Sequence, residues 1–299
     1  MATLSAPDSG PRRRRPSLTG VGYVAPLTVW IGVFFAAPMV IILVYSFMGR
    51  GLYGGVELRL SLEAYRTLLN PLFARVAFNT VVISIGATAV TILLALPTAY
   101  YMARSGKNWL LLLVIVPFWT NFLIRIYAWI AILGNNGFLN SLLRLTGVTS
   151  DYIQFLYNSG AVTVVLVYTY LPYAILPLYA TIERFDFTLL EAARDLGATH
   201  RQSLVRVLLP GIRGGLFTSV LFTFIPTFGA YAVPQLIGGR GSYMLGNIIA
   251  RELTVTRNWP LASSISVVIT LITTAGLLVY LRINRSPGKA ALPEPAGNL

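Results

Sequence analysis

Cysteine is absent from the 299 residues and histidine occurs once, at position 200. Neither a disulfide framework nor a thiolate metal site is therefore available, and a single imidazole cannot build a metal cluster. Charge is scarce as well: Asp, Glu, Lys and Arg make up 11% of the chain, where a soluble domain carries roughly a quarter. Only ten residues are acidic, against 23 Lys and Arg, and no carboxylate falls inside a long apolar run. A nucleotide-binding loop is missing too. Gly106-Lys107-Asn108 contains the Gly-Lys pair of a P-loop, but Tyr101 stands where the first glycine belongs and the following Ser or Thr is absent. The chain cannot hydrolyse ATP by itself.

What the sequence has in abundance is hydrophobic length: 56% of its residues are apolar. An apolar helix of about 20 residues crosses a bilayer, and six stretches qualify, at about 21–47, 76–103, 109–133, 161–182, 214–237 and 261–281. The expected fold is an all-α polytopic membrane protein with six transmembrane helices, one domain over residues 21–282. Residues 1–20, with Arg12 to Arg15, read as a disordered basic cytoplasmic tail, and residues 283–299 as a second cytoplasmic tail. The first apolar run is too long for a signal-peptide core and lacks a clear cleavage site. Of the basic residues, fourteen fall on the proposed inner side, eight on the outer, and Arg125 lies within a span, which puts both termini inside. Basic residues scattered beside apolar segments set orientation, and they do not imply nucleic-acid binding.

The one long polar break in the hydrophobic half, residues 183–213, separates two spans and carries five arginines, which place it on the cytoplasmic face. Two short helices are predicted in it. Thr188 precedes Glu191 by three residues, the spacing of a capping box, and Thr199 precedes Gln202 in the same way. Gly197 offers a left-handed position to end the first helix, and Pro210 ends the second. Leu189, Ala192, Ala193 and Leu196 recur at i, i+3, i+4 and i+7 and make an apolar face with small residues in its middle. Glu191, Arg194 and Asp195 lie off that stripe. Either the stripe rests on lipid or on its own protein, or another backbone approaches it.

The string EAARDLGATHRQSLVRVLLP resembles the EAA motif of the membrane subunits of bacterial ATP-driven importers, with Glu191, Ala192, Ala193, Gly197, Leu209 and Pro210 in register and Val207 in place of Ile. The resemblance implies a type I ABC importer permease, whose loop forms a coupling helix that fits a separate ATP-binding subunit. In that role Glu191, Ala192, Ala193, Asp195, Gly197, Leu209 and Pro210 are the coupling residues. It further implies a heteromeric complex of this chain, a second homologous permease, an ATP-binding subunit dimer and a soluble substrate-binding protein, embedded in lipid in the bacterial inner membrane. This chain itself binds no cofactor, ATP and Mg²⁺ belonging to the partner. Residues 117–140 and 229–264 are similar to spermidine/putrescine permeases of the first of two types, a group whose relatives carry ferric iron, sulfate or other organic solutes.

Aromatic residues fill the third and fourth spans where acids are missing: Trp119, Tyr127, Trp129, Tyr168, Tyr170 and Tyr173. Aromatic faces attract cations, so these residues either line a route for an organic amine or pack against lipid and protein. Asn121 and Arg125 stand four apart and share a helical face. A continuous helix from Trp109 puts Arg125 roughly 24 Å along a core of about 30 Å, within reach of the outer surface. An ATP-independent secondary transporter is the competing class, and its marks are buried ionisable residues or inverted repeats.

Overall fold

The computed structural model describes residues 18–107 and 109–283. The tails, apart from the few residues next to the first and last helices, lie outside the described residues. Five of the described helices are long and apolar enough to cross a membrane, and a bent pair can supply a sixth.

The core is three helices, α4 (Pro71–Ser105), α8 (Ser159–Ile182) and α12 (Arg213–Phe228), which pack against one another. Asn70 starts α4 by accepting the Leu72 amide at 3.0 Å, with Pro71 in the first turn where its missing N–H costs nothing. Asn158 starts α8 in the same manner, accepting from the Ala161 amide at 2.9 Å. Gly106, at φ +60°, ends α4. Ala87, Ala95 and Ala99 are buried on α4, and Ala174 on α8. Small side chains let backbones approach in a membrane protein, where no hydrophobic effect drives helices together. At the crossing of α8 and α12 the helices lie close together: a Cβ on Gly215 would lie 2.5 Å from Thr181 Cβ.

Buried apolar residues form two main clusters along this core. One joins Ile83 of α4 and Val162, Val165 and Leu166 of α8 to Ile237 and Met244. The other joins Ala95 and Ala99 of α4 and Leu178 and Ile182 of α8 to Leu190, Leu208 and Ile212 of the 183–213 loop. The loop is thus part of the core and not a flap beside it.

α1 (Leu18–Ile31) passes through a π-helical stretch, Gly32–Ala36, into α2 (Ala37–Tyr45). No residue of the apolar window Gly22–Tyr45 is buried, and α2 touches α15 (Trp259–Ile283). A strand pair that the sequence pattern did not announce follows. β1 (Met48–Arg50) pairs antiparallel with β2 (Val56–Leu60). The hairpin is tied to the far loop by the Gly55 amide on the Arg257 carbonyl at 2.7 Å and by an Arg50 guanidinium nitrogen on the Thr256 carbonyl at 3.0 Å. α3 (Glu63–Leu68) leads into α4, with Ser61 Oγ accepting the Glu63 amide at 3.2 Å.

Two predicted spans differ from continuous helices. The third is α5 (Trp109–Ile115), a 3₁₀ turn (Val116–Trp119), an extended pair at Thr120 and Asn121, then α6 (Phe122–Leu133), followed after a turn by α7 (Phe138–Leu145). Pro117 favours the tight turn, and Asn121 caps α6 by accepting the Leu123 amide at 2.8 Å. The straight-helix ruler that placed Arg125 therefore does not apply. The fifth is α12 and α13 (Ala232–Ile237), separated at Gly229 to Tyr231. Pro226 lies within α12 and Pro234 within α13. α14 (Leu245–Thr254) then leads to α15.

Candidate functional site

The 183–213 loop folds as α9 (Thr188–Asp195), a glycine turn, and a second helical run built from α10 (His200–Ser203), a π-helical stretch (Leu204–Leu208) and α11 (Leu209–Gly211). The second capping box forms as expected: Thr199 Oγ1 accepts the Gln202 amide at 3.3 Å and Gln202 Oε1 accepts the Thr199 amide at 2.9 Å. The first does not form. Asp186 Oδ1 takes both the Thr188 amide at 3.0 Å and the Thr188 hydroxyl at 2.7 Å, which leaves that hydroxyl engaged and Glu191 facing outward. Thr188 is the first residue of α9 and not its cap, and its amide, which Glu191 would accept in a capping box, is already taken by Asp186. The hydroxyl and then the amide of Thr188 hold the Asp186 carboxyl below the usual carboxylate range.

Gly197 adopts φ +90°. Across it the Ala198 amide donates to the Ala193 carbonyl at 3.0 Å and the Gly197 amide to the Arg194 carbonyl at 2.8 Å, the paired bonds of a Schellman motif. Pro210 does not end the second helix as predicted. The Leu209 amide reaches back five residues to the Leu204 carbonyl, and this π-type step carries the chain past the proline, which has no amide to satisfy. The break comes at Ile212, where the axis turns by 74° into α12.

The predicted apolar stripe splits on folding. Leu190 is fully buried in the core cluster, Ala193 and Arg194 are half-buried, and Leu189, Ala192 and Leu196 are exposed together with Glu191 and Asp195. Leu196 is 90% exposed. The stripe therefore does not rest on its own protein. Phe185 and Phe187 clamp the entry to α9: their rings meet edge to face at 5.9 Å, and the Arg104 guanidinium lies 5.6 Å from the Phe187 ring centre. Leu209 packs at the core edge and Pro210 is exposed.

A second cluster lies where α5, α6, α8 and α12 approach. The Arg125 guanidinium sits 5.8 Å from the Phe118 ring centre and 5.9 Å from that of Phe122. Phe118 meets Tyr173 edge to face at 4.9 Å, Tyr173 lies 5.8 Å from Tyr170, and the Tyr170 hydroxyl donates to the Pro226 carbonyl at 3.3 Å. The Arg125 Nε is buried and has no hydrogen-bond partner, and among the described residues no carboxylate pairs with this arginine. The structure thus brings together Arg125, Tyr170 and Tyr173. Trp119 and Tyr127 are 80% and 58% exposed and stay outside the cluster, Trp129 pairs instead with Tyr168 at 5.4 Å, and the Asn121 side chain is occupied in capping. Sequence reasoning missed Phe118 and Phe122. Their nearness to Arg125 depends on the 3₁₀ turn, for which Pro117 was the available signal. No group of three or more His, Cys, Asp or Glu able to hold a metal exists among the described residues.

Comparison with known proteins places this geometry. Residues 91–286 match the family described as the binding-protein-dependent transport system inner membrane component. The chain is 38% identical to the spermidine/putrescine transport system permease protein PotB of Haemophilus influenzae over 265 residues, covering 88% of this chain and 93% of the relative. It is 35% identical to PotB of Escherichia coli, over 88% and 96%, and 31% identical to the E. coli inner membrane ABC transporter permease protein YdcU, over 80% and 82%. In fold it is similar to a chain of a bacterial ABC transporter that imports alginate, at a TM-score of 0.68 and 17% identity, over 88% of this chain and 95% of that one. With two thirds of its length inside the family match, and with long relatives above 30% identity, the chain belongs to the binding-protein-dependent inner membrane components and is a permease subunit of an ABC importer.

Proposed function

We propose that this permease admits polyamines, spermidine and putrescine foremost, and that the 183–213 loop couples it to a separate ATPase. The observation that carries the coupling reading is the orientation of α9: Leu190 anchors the helix to the core while Leu189, Ala192 and Leu196 are presented outward. An apolar face with a small residue at its centre suits close docking of a second protein. On this reading Glu191 and Asp195 supply the polar rim, Gly197 sets the angle between the two short helices, and Leu209 and Pro210 sit at the hinge to α12.

The working complex comprises this chain, a second homologous permease, two ATP-binding subunits that hold ATP and Mg²⁺, and a soluble binding protein that delivers the solute. Closure of the ATPase pair draws the coupling helices together and rocks the spans between two states. Both termini and the loop face the cytoplasm. The polyamine assignment is supported by relatives that are named for spermidine and putrescine transport, and by a span interior that offers aromatic faces and no carboxylates.

The test is uptake of radiolabelled putrescine and spermidine by cells with and without the gene, in the presence of a proton uncoupler that spares ATP. Loss of uncoupler-resistant uptake on deletion is expected. Unchanged uptake would overturn the polyamine assignment, and failure of the permease to co-purify with a P-loop ATPase would overturn the coupling.

A further inference from the structure

The Arg125 cluster poses a charge problem. Among the described residues this guanidinium of a membrane helix has no carboxylate opposite it, one buried N–H unpartnered, and two phenyl rings within 6 Å. An arginine within a membrane helix ordinarily pairs with an acid or with backbone carbonyls. Here, among the described residues, the Arg125 side chain makes no hydrogen bond to any carbonyl. What remains is an aromatic cage, with the Phe118 and Phe122 ring centres 5.8 Å and 5.9 Å from the charge and Tyr173 and Tyr170 continuing from Phe118. Such cages recognise organic cations.

We propose that Arg125 is a built-in cation that fills an aromatic site for the amine ends of the solute, so that an arriving ammonium must displace the guanidinium to pass. The inference rests on the polyamine reading above and specifies the site it uses. The physical case is one of matched chemistry. A guanidinium and an alkylammonium compete for the same ring faces at similar distances, and the side chain of arginine has the reach to swing out along its apolar stem. Because the Arg125 side chain makes no hydrogen bond or ion pair among the described residues, withdrawal breaks its cation–π contacts, each worth about 0.5–2 kcal/mol, and the occupied state is held without being locked. An empty cage would leave a weakly selective cation site open between transport cycles, and Arg125 closes it.

The test uses the assembled transporter in proteoliposomes with its binding protein. Arg125→Gln empties the cage while keeping length and polarity, and should lower the half-saturating putrescine concentration about fivefold, the equivalent of one cation–π contact of ~1 kcal/mol. Phe118→Leu should raise it. The double variant decides between cage and simple charge repulsion: the gain from Arg125→Gln disappears if the rings bind the solute, and survives if removal of a positive charge alone was responsible. A rise or no change with Arg125→Gln overturns the proposal.

A second readout does not depend on which solute is carried. A 4-cyanophenylalanine at position 118 has a nitrile frequency that senses the adjacent guanidinium. It should shift in the Arg125→Ala protein and return toward the parent value when ethylguanidinium is added, without transport being measured. If the nitrile does not respond, the cage is not occupied by Arg125 and the proposal fails whatever the substrate. If it responds as expected but the parent transporter accumulates neither putrescine nor spermidine, the polyamine reading fails and the cage stands as a site for another organic cation.

Discussion

The Ala198 amide donates to the Ala193 carbonyl at 3.0 Å, closing α9 over Gly197. That one bond fixes where the second helix of the loop begins, because Thr199, the next residue, is its cap. The angle between the two short helices is thus set within three residues, and it is set by backbone geometry that glycine alone adopts freely. α9 in turn is held to the core by a single fully buried side chain, Leu190. A small change at the turn therefore re-aims the whole exposed face.

Gly197→Val should abolish transport while the chain still inserts. A β-branched residue at φ +90° is a genuine outlier, and left-handed backbone costs an L-residue about 1–2 kcal/mol even without branching. Space is not the difficulty, since a Cβ there meets nothing within 4 Å. Gly197→Asn, which tolerates the left-handed region, should accordingly retain most activity, with Gly197→Ala between the two. Uptake at equal membrane abundance checks the ranking, and parental uptake by the valine variant would refute it.

The Asp186 cap makes a prediction about pH. Hydrogen bonds from the Thr188 hydroxyl and amide favour the carboxylate, so the folded pKa lies below the unfolded one of about 3.9. The stabilisation is then complete above the unfolded value and is lost only as pH falls through the lowered folded value. Hydrogen exchange at the Thr188 amide, corrected for intrinsic rate, should show equal protection at pH 7 and pH 5.5. Asp186→Ala should remove that protection at both pH values and Asp186→Asn should keep part of it. Protection in the alanine variant equal to the parent would mean that Thr188 is held by something else.

How much of this was legible in the sequence differs by element. Gly197 and the Thr199–Gln202 box depend on residues one to three positions apart, and such signals survive folding because the competing partners are also local. Even so, the Thr188–Glu191 box lost to Asp186, two residues upstream, because Asp186 takes the Thr188 amide that Glu191 would have had to accept. Pro210 misled for a different reason: a proline forbids one hydrogen bond, and a π-type step in the preceding turn removed the need for it. The stripe Leu189, Ala192, Ala193, Leu196 was visible as a pattern, but only tertiary packing reveals that Leu190 is the anchor and the stripe the free face. The Phe118–Arg125 contact was missed because seven positions along a continuous helix share a side but lie about 10 Å apart, and it is the 3₁₀ turn and extended pair between them, signalled by Pro117 alone, that bring them together.

The hydroxyls of the core offer a stability prediction of opposite sign to most substitutions. Thr80, Ser84, Thr88 and Thr91 of α4 and Ser219, Thr223 and Thr227 of α12 are buried on adjacent helices. Most of them donate to a carbonyl one turn back or, for Ser219, to the Ala174 carbonyl at 2.9 Å. The hydroxyls of Ser84 and Thr88 have no partner. A buried unmade hydrogen bond costs about 1–3 kcal/mol, so Thr88→Val, which keeps the shape, should stabilise the purified protein by about 1 kcal/mol. Thermal unfolding in detergent measures this. A loss of stability would show that the hydroxyl is satisfied, by water or by a second arrangement of the helices.

The crossing of α8 and α12 gives a strict test of the packing. Gly215 of α12 faces Thr181 of α8, whose hydroxyl is directed to the Pro177 carbonyl at 2.8 Å. Because a Cβ at 215 would lie 2.5 Å from Thr181 Cβ and 2.9 Å from its Cγ2, Gly215→Ala forces the two helices apart. Overpacking of this kind costs about 1–3 kcal/mol. The effect should reach beyond stability, since α12 begins at the 74° bend that carries the loop, and moving its first turn tilts the exposed face of α9. Uptake should therefore fall further than abundance does. Thr181→Ala removes the hydroxyl and methyl from the contact and, combined with Gly215→Ala, should recover part of both. If Gly215→Ala is neutral in melting temperature and uptake, α8 and α12 are not as closely packed as described. If the double variant is no better than the single one, the clash lies with the Thr181 backbone and Cβ, and the two helices must separate as rigid bodies.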